Sequence, residues 1–184
     1  IPYLPAGEYK LVEDKAVDGY IVADAITFTV KATAEKQTVT MYDDFTKVEI
    51  NKLELGTNKV VSGAKMHLED ANGNIIARWV SGDKAFAIDH LLNGHEYVII
   101  EDSAPNGYVV SEPVKFTVSN TGDVQVINVY DDFTKVEFHK YIAGTKDYLA
   151  GAKFEIIDES GNVITSWTTG DSAHKITHIP AGKY

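Results

Sequence analysis

The octapeptide YDDFTKVE stands in this chain twice, as Tyr42 to Glu49 and again as Tyr130 to Glu137. From Asp43 to Asp131 is 88 residues, and other landmarks keep that offset. Glu13-Asp14 maps to Glu101-Asp102, Gly19-Tyr20 to Gly107-Tyr108, the FTV at Phe28 to the FTV at Phe116, and Trp79 to Trp167. A period of that length is the size of a domain and too long for a solenoid unit. The chain is therefore expected to be organised as copies of one domain-sized unit. A second landmark sets the frame: LPAGEY (Leu4 to Tyr9) and IPAGKY (Ile179 to Tyr184) are two copies of one mid-repeat segment. In that frame residues 1–44 are the C-terminal half of a repeat, 45–132 a complete repeat, and 133–184 the N-terminal half of a further one. The chain thus reads as an excerpt from a longer array.

The periodicity is that of strands. KVEINKLEL alternates apolar Val48, Ile50 and Leu53 or Leu55 with polar residues, and AKMHLED, YVIIED, VKFTVSN and VQVINVYDD follow suit. Turn chemistry separates them, in DANGN (Asp70 to Asn74), DESGN (Asp158 to Asn162), VDGY, APNGY and NTGD. No helix of three turns is readable. About seven short strands per repeat, with turns every 8 to 12 residues, is the pattern of a small β-sandwich.

Composition excludes several functions. A net charge of −10 without a basic stripe disfavours nucleic acid, whose phosphates call for clustered Lys and Arg. No run approaches the roughly 20 apolar residues of a membrane-spanning helix. Cysteine is absent, so any covalent reinforcement must use other side chains. An extracellular location is compatible with that. The six histidines, among them His90, His95, His174 and His178, lack the carboxylate or cysteine context of a metal site and are expected at solvated strand or loop positions. Trp79 and Trp167 are expected to pack on the core or the sheet surface. Gly107 is a turn glycine with no following helix to make a phosphate loop. No Ser-His-Asp arrangement and no cofactor site is readable.

Strand parity singles out three ionisable residues. Side chains alternate with period two, so Lys52 shares a face with Val48 and Ile50, Asp131 with Val129 and Ile127, and Glu101 with Tyr97 and Ile99. A lysine, an aspartate and a glutamate thus point where the core should be, a costly arrangement unless they change protonation or pair. Two plainer readings exist: each could sit at a wet strand end, or the three could form a simple ion cluster. Repetition favours more than that, because Glu13 and Asp43 stand at the corresponding positions, and Lys140 follows Val136 and Phe138 as Lys52 follows Val48 and Ile50. Asn128 lies on the opposite face from Asp131 and its counterpart is Thr40. Asp44 and Asp132 are also out of phase, as surface residues of a linker would be.

The segments KVEINKLELGTNKVVSGAKMHLEDANGNIIARW, GHEYVIIEDSAPNGYVV and FTV…VYDD resemble the CnaB-type (SpaA-like, prealbumin-like) domains of Gram-positive surface adhesins and pilins. LAGAKFEIIDESGNVITSW carries the resemblance into the last segment. It implies an all-β fold of tandem β-sandwich domains in a linear array, with first and last strands joined by a spontaneous isopeptide bond. On that implication Lys52 is the nucleophile, Asp131 the electrophile and Glu101 the proton shuttle. Glu13, Asp43 and Lys140 then form a split triad, completed between chains by head-to-tail association of the half-domains.

General chemistry agrees with those roles. An amine attacks only when neutral and a carboxyl is attacked only when protonated, and burial moves both groups the right way while folding holds them together. The event is single-turnover and needs no cofactor, so the protein is expected to be no enzyme. The leading expectation is a stalk module of an extracellular, cell-wall-anchored adhesin or pilus, partnered by neighbouring repeats. A module that itself binds a host matrix protein or glycan through its loops is the alternative. A hydrolase or transport protein on a transthyretin-like sandwich is a third reading.

Overall fold

The computed structural model describes residues 3–184; the first two residues of the leading segment lie outside it. Sixteen strands and no helix occur among the described residues. The leading segment holds β1 (Gly7–Leu11), β2 (Tyr20–Ile21), β3 (Ile26–Val30) and β4 (Asp44–Phe45). The middle repeat holds β5 (Lys47–Glu54), β6 (Lys65–Asp70), β7 (Ile75–Val80), β8 (Phe86–Asp89), β9 (Glu96–Ser103), β10 (Tyr108–Val109), β11 (Val114–Thr117) and β12 (Val124–Phe133). The trailing segment holds β13 (Lys135–Phe138), β14 (Lys153–Ile157), β15 (Val163–Thr168) and β16 (His174–Thr177).

The middle repeat is a sandwich of two four-stranded sheets, ordered β10-β12-β5-β8 and β11-β9-β6-β7. It has eight strands where about seven were expected; β10, only two residues long, is short enough to escape a periodicity reading. Inward residues of both sheets make one core of Val48, Ile50, Ala64, Met66, Leu68, Tyr97, Ile99, Phe116 and Val129, closed at one end by Leu91 and Val118. Trp79 is half-buried against this core and stacks on Phe86 with centroids 4.2 Å apart. Trp167 in the trailing segment stacks in the same way on His174, at 4.5 Å.

Among the described residues every strand pairing is antiparallel except one. β12 runs parallel to β5 along eight residues, from Val124 opposite Lys47 to Asp131 opposite Glu54. A parallel neighbour needs a crossover, and here the crossover is the rest of the domain. The inward face of β5 runs Val48, Ile50, Lys52, Glu54, so the alternation continues into charged residues and leaves Leu55 exposed.

The flanking segments reproduce parts of the same plan. β1 pairs with β3 as β9 does with β11, and β2 with β4 as β10 does with β12. β13 pairs with β16 as β5 does with β8, and β14 with β15 as β6 does with β7. What each lacks is the counterpart of the two seams, β5–β12 and β6–β9. Residues 37–43, which correspond to most of β12, are accordingly not a strand: without a partner ladder the extended chain has nowhere to place its backbone hydrogen bonds.

The duplicated octapeptide is a built joint. In the second copy Thr134 donates its amide to Gly107 O (2.9 Å), its hydroxyl donates to Ile179 O (2.6 Å), and its carbonyl accepts from His178 N (3.0 Å). Thr46 makes the matching bonds to Gly19 O, Leu91 O and His90 N. Phe133 stacks on His178 at 4.3 Å and Phe45 on His90 at 4.4 Å. Asp132 and Asp44 pair with Lys135 and Lys47, whose ammonium groups lie over the two phenylalanine rings. His90 and His178 are loop residues, as expected, but each is wedged between aromatic rings of the preceding unit. The expectation of solvated histidines fails outright at His67, which is buried between Glu69 and Asp102.

Gly107 is required at this joint on two counts. Its φ is +87°, and a Cβ there would lie 2.5 Å from His178 O. Gly107→Ala is therefore expected to open the joint at a cost of roughly 1 to 3 kcal/mol. Amide hydrogen exchange at Thr134 and His178 should accelerate while that of Leu68 in the core stays unchanged. Unaltered protection at both joint amides would contradict the arrangement.

Candidate functional site

Three elements from both sheets converge at one end of the middle core. β5 supplies Lys52 and its parallel neighbour β12 supplies Asp131, one diagonal step away, since Lys52 is in register with Val129. β9, in the facing sheet, supplies Glu101, which follows Tyr97 and Ile99 on the buried face. The three come together only when the sandwich closes.

The groups are as enclosed as the core around them. Asp131 is 0% exposed, and Lys52 and Glu101 are each 5% exposed. Lys52 Nζ donates to Glu101 Oε2 at 3.0 Å and makes a very short contact with Asp131 Oδ1. Its third bond goes to Ser111 Oγ, also at 3.0 Å. Glu101 Oε2 in turn accepts the Ser111 amide at 2.7 Å and the Ser111 hydroxyl at 3.0 Å. The remaining oxygens, Glu101 Oε1 and Asp131 Oδ2, are buried with no donor. A proton on the Asp131 carboxyl would give this cluster a donor that it otherwise lacks.

Burial is the largest influence on Asp131 and raises its pKa from 3.8 to about 6; Lys52 opposes the rise and the hydrogen bond with Glu101 adds to it. The arrangement therefore places an amine nitrogen against a carboxyl whose neutral form burial makes easier to reach, with a second acid beside both. Chemically that is the reactant geometry of an amide condensation.

Other residues fall elsewhere. Asn128 is on the outer face, accepting a hydrogen bond from Asn51 at 3.1 Å. Asp44 and Asp132 serve the joints. Glu13, Asp43 and Lys140 are not brought together within the chain: Asp43 and Lys140 are exposed and Glu13 is half-buried. Glu13 is nevertheless held like Glu101, its Oε2 accepting Ala23 N at 2.7 Å where Glu101 accepts Ser111 N. The local loop presets that carboxylate even where no facing strands are present.

Parity and repetition did not point to Ser111, because its counterpart at the 88-residue offset is Ala23. Glu54 was also missed, although it shares the face of Lys52. It is 5% exposed and accepts Tyr108 OH (2.7 Å), Thr57 Oγ1 (3.0 Å) and His178 Nε2 (3.0 Å). Those bonds, led by that of Tyr108, hold the Glu54 carboxyl below its ordinary pKa, while burial and Glu54 push Tyr108 up to about 12. The recurrence of His90 at His178 was the available signal for this contact.

A prealbumin-like fold domain model of the SpaA type matches residues 1–44, 46–132 and 134–184. The chain belongs to this SpaA prealbumin-like domain family. Among solved structures it is similar to the Bacillus anthracis TIE protein, with 25% identity and a TM-score of 0.53, covering 97% of this chain and 35% of that one. BcpA, the major pilin subunit of Bacillus cereus, is 22% identical with a TM-score of 0.45, over 52% of this chain and 31% of that one. The shaft pilin SpaA of Lactobacillus rhamnosus GG is 15% identical with a TM-score of 0.40, over 69% of this chain and 64% of that one. The chain thus spans about a third of the length of the TIE protein. No curated protein matches it.

The buried acid gives a pH dependence whose sign is fixed. A carboxyl with a raised folded pKa favours the fold in its protonated form; its contribution is full below 3.8 and is lost as pH rises through about 6. Lys52→Ala removes both influences that lower that pKa. This variant is therefore expected to be more stable at pH 5 than at pH 8, by on the order of 2 kcal/mol. Urea unfolding at the two pH values is the check, and adding Asp131→Asn should abolish the difference. Equal stability of the single variant at both pH values would refute the assignment.

Proposed function

We propose that the chain is a structural module of a bacterial surface fibre or adhesin stalk, and that its middle repeat is braced by an autocatalytic amide between Lys52 and Asp131. The observation that carries this reading is the enclosed contact of Lys52 Nζ with Asp131, on parallel first and last strands, and with Glu101 from the facing sheet. The neutral amine attacks Cγ of protonated Asp131, and the N–C bond forms. Glu101 accepts the amine proton and returns it to the departing hydroxyl. One C–O bond breaks, and one water leaves. Each molecule reacts once, so the activity is self-modification without turnover. Membership of the SpaA prealbumin-like family, whose fold pilus subunits share, supports the same reading and an extracellular, cell-wall-linked location on a Gram-positive cell.

The folded protein is expected to be one water lighter than its sequence under denaturing conditions. Lys52→Ala, Asp131→Ala and Glu101→Ala should each restore the full mass. The bond closes a separation of 79 residues, and by analogy with disulfides that closure stabilises by roughly 4 kcal/mol. Intact-mass measurement decides the matter, and a wild-type protein of full theoretical mass would sink the proposal.

The flanking segments support a second part of the proposal. We read residues 1–44 as the C-terminal half and 133–184 as the N-terminal half of a repeat, able to complement each other between chains. β13 and β14 are free along the edges that β5 and β6 use for their seams, and Val136, Phe138, Ile156 and Ile179 line an open apolar groove of about 570 Å³. Such edges and faces invite pairing. A head-to-tail contact of this kind propagates into open chains, and Lys140 to Asp43 bonds would weld them. Denaturing gels of the purified protein should show a ladder that Lys140→Ala abolishes; a single band at the monomer position would rule this part out.

A further inference from the structure

Ser111 stands in the loop between β10 and β11, and neither the repeat pattern nor the inward parity of the strands assigns it a role. Its side chain nevertheless touches the nitrogen that the proposed ligation uses. Ser111 Oγ lies 3.0 Å from Lys52 Nζ, and its hydroxyl donates to Glu101 Oε2 at 3.0 Å, leaving the oxygen lone pairs facing the amine. An ammonium has three N–H groups, and three acceptors surround this one: Glu101 Oε2, Ser111 Oγ and Asp131 Oδ1.

The chemistry of attack requires one of those three contacts to change. When the ammonium gives up a proton to the ionised carboxyl of Asp131, which thereby becomes the neutral acid that is attacked, two N–H groups and one lone pair remain. Attack succeeds only if the lone pair is the one directed at Cγ of Asp131. Glu101 Oε2 and Ser111 Oγ are the two acceptors that can hold the remaining N–H groups on the far side of the nitrogen. Glu101 alone could hold one and would leave the amine free to rotate about Cε–Nζ, aiming an N–H at the carboxyl for much of the time.

We propose that Ser111 is a catalytic residue of the ligation, whose hydroxyl holds the second N–H of neutral Lys52 and so aims the nitrogen lone pair at Asp131. This deepens the amide-forming reading and rests on it. The leading segment isolates what the hydroxyl adds. At the corresponding position Ala23 still donates its backbone N–H to Glu13 at 2.7 Å, just as Ser111 donates to Glu101. The backbone at this position therefore presets the glutamate with or without a side-chain hydroxyl. Replacing Ser111 by alanine removes only the contact with the amine and the second bond to Glu101. The side chain is half-buried at a loop, so its loss leaves no core cavity.

The test follows bond formation in time. Full-length protein is made in a short cell-free translation pulse, chased, quenched in denaturant and weighed by intact mass, and the fraction that has lost one water is plotted. Ser111→Ala is expected to slow the loss by roughly tenfold to a hundredfold, the scale on which a lost positioning contact acts. Ser111→Thr, which restores a hydroxyl, should recover most of the rate. In the Lys52→Ala background Ser111→Ala removes only the serine's bond to Glu101 and is expected to lower the melting temperature by no more than the loss of one hydrogen bond, so slowed ligation measured where Ser111→Ala is fully folded reports the contact with the amine and not a loss of structure. Ligation of Ser111→Ala at the wild-type rate, or an equal slowing in Ser111→Thr and Ser111→Ala, would overturn the assignment while leaving the amide intact. A wild-type protein that never loses water would remove the amide reading, and this inference with it.

Discussion

The parallel pairing of β5 with β12 is the constraint on which the middle repeat depends. It is the one parallel ladder in a sandwich otherwise built of antiparallel pairs, and it joins the first strand of the domain to the last. Loop-closure entropy opposes a contact of such long separation, so the ladder forms only when the intervening strands have packed. The same ladder places Lys52 diagonally beside Asp131. Glu101 arrives from the other sheet, so the buried cluster of Lys52, Asp131 and Glu101 assembles as a consequence of complete folding. A chain that pairs only part of its strands cannot bring the amine and both acids together, which ties any bond made there to the native fold.

The joints extend this logic beyond one domain. β12 passes into β13 through Thr134 alone, and the hydrogen bonds of that threonine reach backward to Gly107 and forward to His178 and Ile179. A linker this short, bonded on both sides, has few conformations left to lose. Glu54 adds a direct tie, since it sits two residues beyond Lys52 on the same buried face and receives His178 from the trailing segment. The strand that bears Lys52 is thus also the strand that grips the next unit.

Much of this was legible in the sequence, for identifiable reasons. Alternation put Lys52, Glu101 and Asp131 inward because period two is a property of any extended strand, and the 88-residue offset separated repeated design from coincidence. What stayed hidden were features without a period. Ser111 lies in a loop and its repeat equivalent is alanine, so neither signal reached it. Glu54 carried the right parity, but the partners that make its burial tolerable, Tyr108 and His178, are 54 and 124 residues away. His67 was expected in solvent because nothing local announces that Glu69 and Asp102 flank it. The octapeptide showed that a joint exists; its hydrogen bonds showed how the joint is held.

Load transmission follows from the same geometry. Tension on an array enters the middle repeat at Lys47 and leaves at Phe133, the outer ends of two parallel neighbours. Without a covalent link that force shears the β5–β12 ladder along its length and then reaches the core. With an amide at Lys52 the path runs through six residues of β5, crosses to Asp131, and exits two residues later. The 79-residue separation between the linked positions lies outside that path. A bond at the far end of β5, near Glu54, would leave more of the strand under tension, and one near Val48 would bypass the ladder but could not reach Asp131 in this register. Lys52 is the inward lysine of β5, buried and one diagonal step from the last buried carboxylate of β12, so under the proposed amide the linked position and the load-bearing position would coincide.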